Sequence, residues 1–329
     1  GGMFVREKVI KAILDSGENF MSGEQLSKKL GISRTAVWKH INALREEGYN
    51  IESVNKKGYR LAEKPDDILS SENIAYNLPT EFIGKKVIHL DTVGSTNDYA
   101  KEIGNKVSGG TLIISEQQTK GKGRLGRVWK SKSGDGIWMS LIIKPKIEPY
   151  KAPFLTLVAG ASVVKALSNL DVEASIKWPN DIIVHNKKIC GILTELSAEM
   201  ERVNYVVIGI GINIKTIDFP DEIKEKATSL YKEGYKLSRV DIVRQFCIEF
   251  EKLYKGYILD GNKQDTLELC RKYSAIIGKQ VYVIKNNKRE LVKCIDINEN
   301  GNLIVKEKNG EIQEIMSGEV SIRGVKGYV

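Results

Sequence analysis

The 329-residue chain contains little cysteine, proline or histidine, with four, seven and three of each. Its cysteines (Cys190, Cys247, Cys270 and Cys294) form no CxxC pair, which argues against a zinc site or a disulfide framework and predicts buried, reduced thiols. No apolar run approaches the ~18–20 residues of a membrane span, and no signal-peptide pattern is present. We therefore expect a cytoplasmic protein with no membrane partner.

Length and charge set the remaining limits. The chain is long for one domain and comfortable for two or three, and 41% hydrophobic residues suffice for real cores. The net charge of +9 suggests a polyanionic partner without showing one.

The first 64 residues have the pattern of a helix-turn-helix. Apolar residues at helical spacing predict a helix over Phe4–Leu14, and a second follows over Gly23–Leu30. Gly31 permits a tight turn, and Ser33 caps a third helix over Arg34–Gly48. Two helices joined by a short glycine-containing turn are typical of DNA-binding modules.

Two short strand-like runs around Lys56-Lys57-Gly58 then predict a hairpin wing. Residues 1–64 carry 12 Lys or Arg against 8 Asp or Glu. The outer face of the third helix has side chains of types that reach base edges and phosphates. A protein-interaction module with a solvated basic face is the alternative. The candidate DNA contacts are Ser33, Arg34, Thr35, Trp38, Lys39, Lys56, Lys57 and Arg60.

The stretch GKGRLGRVW, residues 121–129, alternates glycines with cations and ends in an indole. Glycine lets the backbone approach a ligand closely, and interleaved Lys and Arg hold phosphate or carboxylate. The run fits GxGxxG, but a polar loop and a strand-like run follow it where a dinucleotide-binding motif requires a helix. The alternative at this point is a solvated basic hairpin loop.

Other motifs surround this loop. STND predicts a helix start near Ser95, and KWPND places a lysine, an amide and a carboxylate together at Lys177–Asp181. Glycines interrupt the strand-like runs KKICGILTEL and VVIGIGINI, which indicates close approach of a ligand or another backbone. We expect Lys188 to be exposed where a loop enters a strand. His40, His89 and His185 have no partner that marks them as catalytic.

The last third of the chain predicts two amphipathic helices, over Ser238–Tyr257 and Thr266–Tyr273. From Lys279 onward, short alternating strands are separated by turn signals at Asn300-Gly301 and Asn309-Gly310. About fifty residues of this kind suggest a small SH3-like barrel.

The motifs STN, QQTKGKGRLGRVW, KWPND, KKICGIL and VIGIGIN, in this order, resemble the biotin protein ligases. Together with the helix-turn-helix, essentially the whole chain resembles their bifunctional form, the biotin operon repressor. Two positions depart from the family pattern: Lys122 stands where the family usually has Arg, and Gly94 where it usually has Asp. The arginine guanidinium can donate two parallel hydrogen bonds, whereas the lysine ammonium is a point charge, so a bidentate role at position 122 is not expected.

The resemblance implies an α+β protein of three domains. Residues 1–64 form a winged helix-turn-helix, 65–274 a mixed-sheet α/β ligase domain of class II synthetase-like type, and 275–329 the SH3-like domain, with a hinge at Lys64–Asp67. The implied activity is formation of biotinyl-5′-AMP from biotin and ATP with Mg²⁺, followed by transfer to a lysine of a carboxylase's biotin carboxyl carrier domain. The implied partners are that carrier, operator DNA and a second copy of the chain, joined when the adenylate binds.

The resemblance also implies roles for single residues. The catalytic residues would be Lys188, Arg124 and Asp181, with Asp181 helping to hold magnesium. Biotin would contact Ser95, Thr96, Asn97, Gln118, Lys122, Gly123, Arg124, Lys188, Gly191, Gly209 and Gly211. ATP and the adenylate would contact Gly121, Arg124, Arg127, Trp129, Lys177, Asn180 and Asn213.

Two other functions stay open from the sequence. A lipoate or octanoate ligase shares the central fold, but it needs no winged helix and its loop would not read GKGRLGR. A repressor that senses biotin without catalysis would not need Lys188, Arg124 and Asp181.

Overall fold

The computed structural model describes residues 2–62, 67–286, 288–318, 320–325 and 327–329. The chain forms two compact units, one of Gly1–Asn77 with Ser238–Val240 and one of Leu78–Leu237 with Asp241–Val329. The hinge predicted at Lys64–Asp67 lies outside the described residues except for Asp67. The three predicted domain boundaries therefore stay predictions.

The first unit is a three-helix module with a β-hairpin wing. Its elements are α1 (Gly2–Asp15), α2 (Gly23–Leu30), α3 (Arg34–Glu46), β1 (Ile51–Val54), β2 (Gly58–Leu61) and the short α4 (Ser71–Ala75), which the sequence did not predict. Ser22 begins α2 with a capping box, Gly31 ends it at φ 66°, and Ser33 caps α3. The inner faces of the helices meet in one core that includes Val9, Leu26 and Ile41.

A seven-stranded mixed sheet organises the second unit. Its strands are β3 (Val87–Val93), β4 (Thr111–Gln118), β5 (Gly136–Ile143), β6 (Ser175–Lys177), β7 (Asp181–Val184), β8 (Lys187–Ala198) and β9 (Val203–Asn213). They lie in the order β3-β4-β5-β9-β8-β7-β6; β3 and β4 are parallel, and the other pairs are antiparallel.

Four helices accompany this sheet: α5 (Thr96–Ile103), α6 (Phe154–Ser168), α7 (Arg239–Asp260) and α8 (Gln264–Lys272). The segment Pro149–Ser168, which includes a short 3₁₀ turn at Pro149–Lys151, is long and apolar enough to span a membrane, although no such run was expected. It is 72% buried within the protein, as expected for a core helix that is apolar on every side.

The chain ends in a small antiparallel sheet, which confirms the β-rich C-terminal domain. Its strands are β10 (Gln280–Lys285), β11 (Lys288–Ile297), β12 (Leu303–Lys306), β13 (Ile312–Ile315) and β14 (Ser321–Gly324), in the order β13-β12-β11-β10-β14. Gly301 and Gly310 adopt positive φ in the two predicted hairpin turns. The Trp178 indole donates to the Gly301 carbonyl at 2.9 Å, so this sheet contacts the turn between β6 and β7.

Candidate active site and DNA-binding surface

The glycine-cation loop folds as an irregular hairpin between β4 and β5. The Trp129 amide donates to the Gly121 carbonyl at 2.9 Å, and the Gly123 amide donates to the Arg127 carbonyl at 2.7 Å. A Cβ at Gly121 would lie 2.2 Å from the Trp129 carbonyl oxygen, so this position requires glycine. Gly121, predicted to contact the nucleotide, lines neither pocket described below and serves the loop's own backbone.

A small pocket of about 450 Å³, including space open to solvent, lies beside this loop. All eleven residues predicted to bind biotin line it, from five separate stretches of sequence. The apolar part of the wall includes Met139, Ile192, Leu193 and Ile210, which were not among the predicted biotin contacts. The structure thus brings the predicted set together.

Neutral polar groups form one wall of the small pocket and hold one another in place. Ser140 Oγ lies 2.6 Å from Asn97 Oδ1, to which it donates, and 2.8 Å from Thr96 Oγ1. The Thr96 amide donates to Gln118 Oε1 at 2.9 Å, and Asn97 Nδ2 donates to Glu195 at 2.7 Å. Ser95, Thr96 and Asn97 are buried, and Ser95 caps α5.

Glycines make the floor of the small pocket. A Cβ at Gly209 would lie 2.2 Å from Asn97 Oδ1. Gly191 and Gly211 pair across β8 and β9, and a Cβ on either would lie 2.9 or 2.5 Å from the Trp129 indole. The groups that approach these strand glycines are therefore side chains of the protein itself.

The cationic groove is a larger depression of about 1900 Å³, open to solvent, that shares Gly123, Arg124, Trp129, Asn180 and Lys188 with the small pocket. Seven Lys or Arg side chains line it against three Asp or Glu. The predicted nucleotide residues other than Gly121 all lie here: Arg124, Arg127, Trp129, Lys177, Asn180 and Asn213. Residues of the C-terminal sheet and tail that the sequence did not single out also contribute: Ser321, Ile322, Arg323 and Tyr328.

Asp181 and Lys188 form an ion pair in the groove, 2.6 Å apart. Burial by itself raises the pKa of Asp181, but the charge and hydrogen bond of Lys188, with a hydrogen bond from Tyr328, outweigh it and lower that pKa. The expectation of an exposed Lys188 is wrong, because its side chain is only 24% exposed and faces Asp181 across the β7–β8 hairpin.

Arg124 joins the glycine-cation loop to two other segments. It donates to Asn180 Oδ1 at 2.8 Å and to the Ser317 carbonyl at 2.6 Å. Burial lowers the pKa of its guanidinium. These contacts place a fixed cation where the small pocket meets the groove.

Lys177 is 2% exposed, and no carboxylate lies within ion-pair distance of it among the described residues. Its Nζ donates to the Tyr328 carbonyl at 2.6 Å and lies 3.3 Å from the centre of that ring. Burial, followed by the nearby Arg323 charge, lowers the pKa of Lys177 to about 7.

Lys122 belongs to a surface network of ion pairs. Its Nζ lies 2.6 Å from Asp98, and Lys101 bridges Asp98 at 3.0 Å to Glu195 at 2.7 Å. The hydrogen bond from Lys122 is the first cause of the lowered pKa of Asp98. A single point charge at position 122 thus has a partner on α5.

The donor set around Asp181 fits a magnesium ion that arrives with a nucleotide. No group of three or more His, Cys, Asp or Glu side chains that could hold a metal occurs among the described residues. Magnesium commonly uses one or two carboxylates together with substrate phosphates and water, and each Asp181 oxygen keeps a lone pair beyond the donor it accepts. The residues therefore fit Mg·ATP better than a resident ion.

In the first unit, the outer face of α3 is exposed. Arg34, Thr35 and Lys39 are exposed and Trp38 is 54% exposed, while Ser33 is used as the helix cap. On the wing, Lys56 and Lys57 are exposed. Arg60 instead pairs with Glu52 at 2.6 Å and lies over the Phe20 ring. Its guanidinium therefore already has partners within the first unit, unlike a cation that is free to contact DNA.

The four cysteines are free and buried, as predicted. His185 lies 2.5 Å from Glu233, and His89 lies 3.9 Å from Glu116. His40 is half-buried on α3, and none of the three histidines lines the pocket or the groove.

Three family matches cover most of the chain. Residues 5–60 match the HTH domain, 90–213 the biotin/lipoate A/B protein ligase family, and 276–323 the biotin protein ligase C terminal domain. The Bifunctional ligase/repressor BirA of Bacillus subtilis is 42% identical, over 97% of this chain and 98% of its own length. The protein of the same name from Escherichia coli is 31% identical, over 96% of each chain.

Among solved structures, a biotin protein ligase from Aquifex aeolicus in complex with biotin and ATP is similar with a TM-score of 0.64 and 32% identity. The match covers 73% of this chain and 99% of that one. The apo structure of the Aquifex protein gives a TM-score of 0.60 at 28% identity, with the same coverage of both chains.

Proposed function

Because the chain belongs to the biotin protein ligase family, in its bifunctional ligase/repressor form, we propose that it forms biotinyl-5′-AMP and transfers biotin to a carrier lysine. One observation carries the proposal. The small pocket, with its neutral polar wall, and the cationic groove share Arg124 and Lys188 at their junction. A biotin carboxylate at that junction would face the α-phosphate of a nucleotide in the groove.

The chemistry suits this charge distribution. A carboxylate oxygen attacks the α-phosphorus, the bond to the β-phosphate oxygen breaks, and pyrophosphate leaves. Two anions must approach, so the reaction needs fixed cations more than proton transfer. Lys188 and Arg124 supply them, while Trp129, Asn180 and Asn213 would hold the adenosine. A lysine amine of the carrier then attacks the acyl carbon and releases AMP.

We assign magnesium to the nucleotide's phosphates with Asp181 as its protein ligand. The ion would supply charge neutralisation at the phosphates. Its binding would leave the Lys188 ammonium more available to the biotin carboxylate, because the two cations would share one carboxylate. The free, buried thiols suit a reducing compartment, so we place the protein in the cytoplasm.

The decisive experiment offers biotin, lipoate or octanoate with Mg·ATP and measures pyrophosphate release. Of the three acids, we expect only biotin to cause pyrophosphate release. The wall of Asn97, Thr96 and Gln118 provides donors and acceptors for a ureido ring, which lipoate and octanoate lack. Equal release with octanoate would show a lipoate-type ligase. Binding of biotin without any release would show the non-catalytic repressor.

For the repressor activity we propose a homodimer that forms when the adenylate binds. β7 pairs with β8 only as far as Gly191, so residues 193–198 have β9 on one side and no strand on the other among the described residues. Such an open edge can pair with its twin, and two winged helices would then reach two half-sites. A carrier protein on the same edge would prevent the dimer.

The dimer is tested by sedimentation and operator binding with and without biotinyl-5′-AMP. Ordering of the loops by ligand should strengthen dimerisation by about 5–150-fold, the usual range of coupling between sites. Unchanged sedimentation and operator affinity at saturating adenylate would leave a ligase whose DNA-binding domain its product does not control.

A further inference from the structure

The last residues of the sequence fold back into the cationic groove. After β14 the chain turns, and a Cβ at Gly324 would lie 2.3 Å from the main chain of Val329, so the tail packs closely on its own strand. Tyr328 is 9% exposed and lines the groove. No motif in the sequence pointed to this tyrosine.

Tyr328 contacts both charged residues of the KWPND segment. Its hydroxyl donates to Asp181 Oδ2, and its main-chain carbonyl accepts from Lys177 Nζ at 2.6 Å. Its ring also lies against the same ammonium, with 3.3 Å between Nζ and the ring centre. One residue of the tail therefore holds a carboxylate and an ammonium on opposite sides of the β6–β7 turn.

The orientation of the Asp181 carboxylate depends on two donors from different parts of the chain. Lys188 of β8 contacts Oδ1 and Tyr328 of the tail contacts Oδ2. A carboxylate bound at both oxygens cannot rotate without breaking a charge-assisted hydrogen bond. Fixed charges of this kind stabilise a transition state because they need no reorganisation when the reaction occurs.

We propose that Tyr328 is a positioning residue for the nucleotide half of the reaction. It fixes Asp181 and Lys177 in the groove and lies outside the small pocket. The role rests on the proposed function, because it takes the groove as the site of Mg·ATP. It assigns the tail to nucleotide affinity and leaves biotin affinity to the small pocket.

The test uses the full chain with Tyr328→Phe, which removes the hydroxyl and keeps the ring and the carbonyl. Loss of a hydrogen bond to a charged group should raise KM for Mg·ATP on the order of tenfold. Biotin affinity, measured by calorimetry without nucleotide, should stay unchanged. The matched control is Tyr282→Phe on β10, which removes a hydroxyl of the same sheet away from both pockets and should change neither value.

Two results of this comparison would overturn the proposal. A lower melting temperature with an unchanged KM would show a structural role only. A lower KM for Mg·ATP would show that the hydroxyl competes with the metal for Asp181.

A double-mutant cycle with Asp181→Asn checks the route of the effect. Affinity for α,β-methylene ATP with Mg²⁺ is measured by calorimetry, so the variants need not turn over. If Tyr328 acts through Asp181, Tyr328→Phe should have little further effect in the Asp181→Asn background. If the wild-type protein adenylates biotin but the losses of affinity in the two single variants add up in the double variant, the role of Tyr328 is overturned. If the wild-type protein does not adenylate biotin, the proposed function is overturned instead.

Discussion

The small pocket and the cationic groove share five residues but are built by different means. In the small pocket, uncharged groups such as Asn97, Thr96 and Gln118 hold one another by hydrogen bonds above a floor of strand glycines. In the groove, cations outnumber carboxylates, and the Asp181 carboxylate is shared between Lys188 and Tyr328. The pocket is held together by contacts among its own neutral groups, whereas the groove presents charges that a ligand must share.

This difference predicts where substitutions act. A change among the neutral groups of the small pocket should act through shape and be insensitive to pH and salt. A change in the groove should act through charge. At Arg124, Lys177 and Lys188 it should affect stability as well as rate, because these cations contact other groups of the protein.

The largest effect is expected from Lys188→Met. Removing a preorganised cation at the reacting centre typically costs 10²–10³ in rate, measured here as pyrophosphate release. The melting temperature should fall too, because Asp181 loses the partner that keeps it ionised. Lys187→Met, one residue earlier on β8 and lining neither pocket, is the control. Wild-type release from the Lys188 variant would remove this lysine from the mechanism.

The second prediction concerns Lys177 and pH. Its folded pKa of about 7 lies below the unfolded value of about 10.4, so between these pH values the unfolded chain binds a proton that the folded chain has released. Stability should therefore rise with pH above 7, by up to roughly 4 kcal/mol for this group, and the penalty for burying the charge is greatest below pH 7.

Lys177→Met should lack that rise. Urea unfolding of both proteins at pH 7, 8 and 9 measures the difference, and the other titrating groups cancel because both chains share them. Biotin affinity should stay flat over the same range, since Lys177 does not line the small pocket. If the free energies of unfolding of the two proteins changed with pH by the same amount, the low pKa of Lys177 would be contradicted.

The third prediction tests the shape of the small pocket with Gly209→Ala. The added methyl would lie 2.2 Å from Asn97 Oδ1, which Ser140 and Glu195 hold in place through the Asn97 amide. Overpacking of about 1–3 kcal/mol should weaken biotin binding roughly 5–150-fold, measured by calorimetry. Gly94→Ala is the control, because a Cβ there meets nothing within 4 Å. Equal affinity of the Gly209 variant would show that Asn97 moves freely.

Local patterns predicted the elements better than the contacts between them. Helix α2 has the predicted bounds, because a serine cap and a glycine mark its ends in the sequence. Strand β7 was missed because its four residues lie between a proline turn and a two-residue hairpin. Since β7 carries Asp181 to face Lys188, missing it also led to the wrong expectation of an exposed lysine.

Contacts between distant segments left no signal at all. Ser140 lies in an unbroken apolar strand, and Tyr328 lies some 150 positions from the carboxylate it contacts. The predicted biotin residues nevertheless gather in one pocket. Ser95–Asn97 and the glycine-cation loop follow the adjacent parallel strands β3 and β4, and Lys188 and the glycines lie within the paired strands β8 and β9. The predicted biotin residues, which line the pocket, were visible in the sequence, whereas Ser140 and Tyr328, which hold pocket and groove residues in place, were not.

The smallest effect is expected at Lys122, a charged residue at the edge of the small pocket. Its ion pair with Asp98 ties the glycine-cation loop to α5, but both side chains are well exposed, at 48% and 38%. Exposed pairs contribute about 0.2–1 kcal/mol, so Lys122→Met should speed biotin dissociation by at most about fivefold. The difference should shrink at high salt, which screens exposed charges, whereas the loss in Gly209→Ala should not. Lys120→Met, an exposed lysine of the same segment that lines neither pocket, is the control. A loss much larger than fivefold would mean that this lysine contacts biotin directly and does not act only by holding the loop.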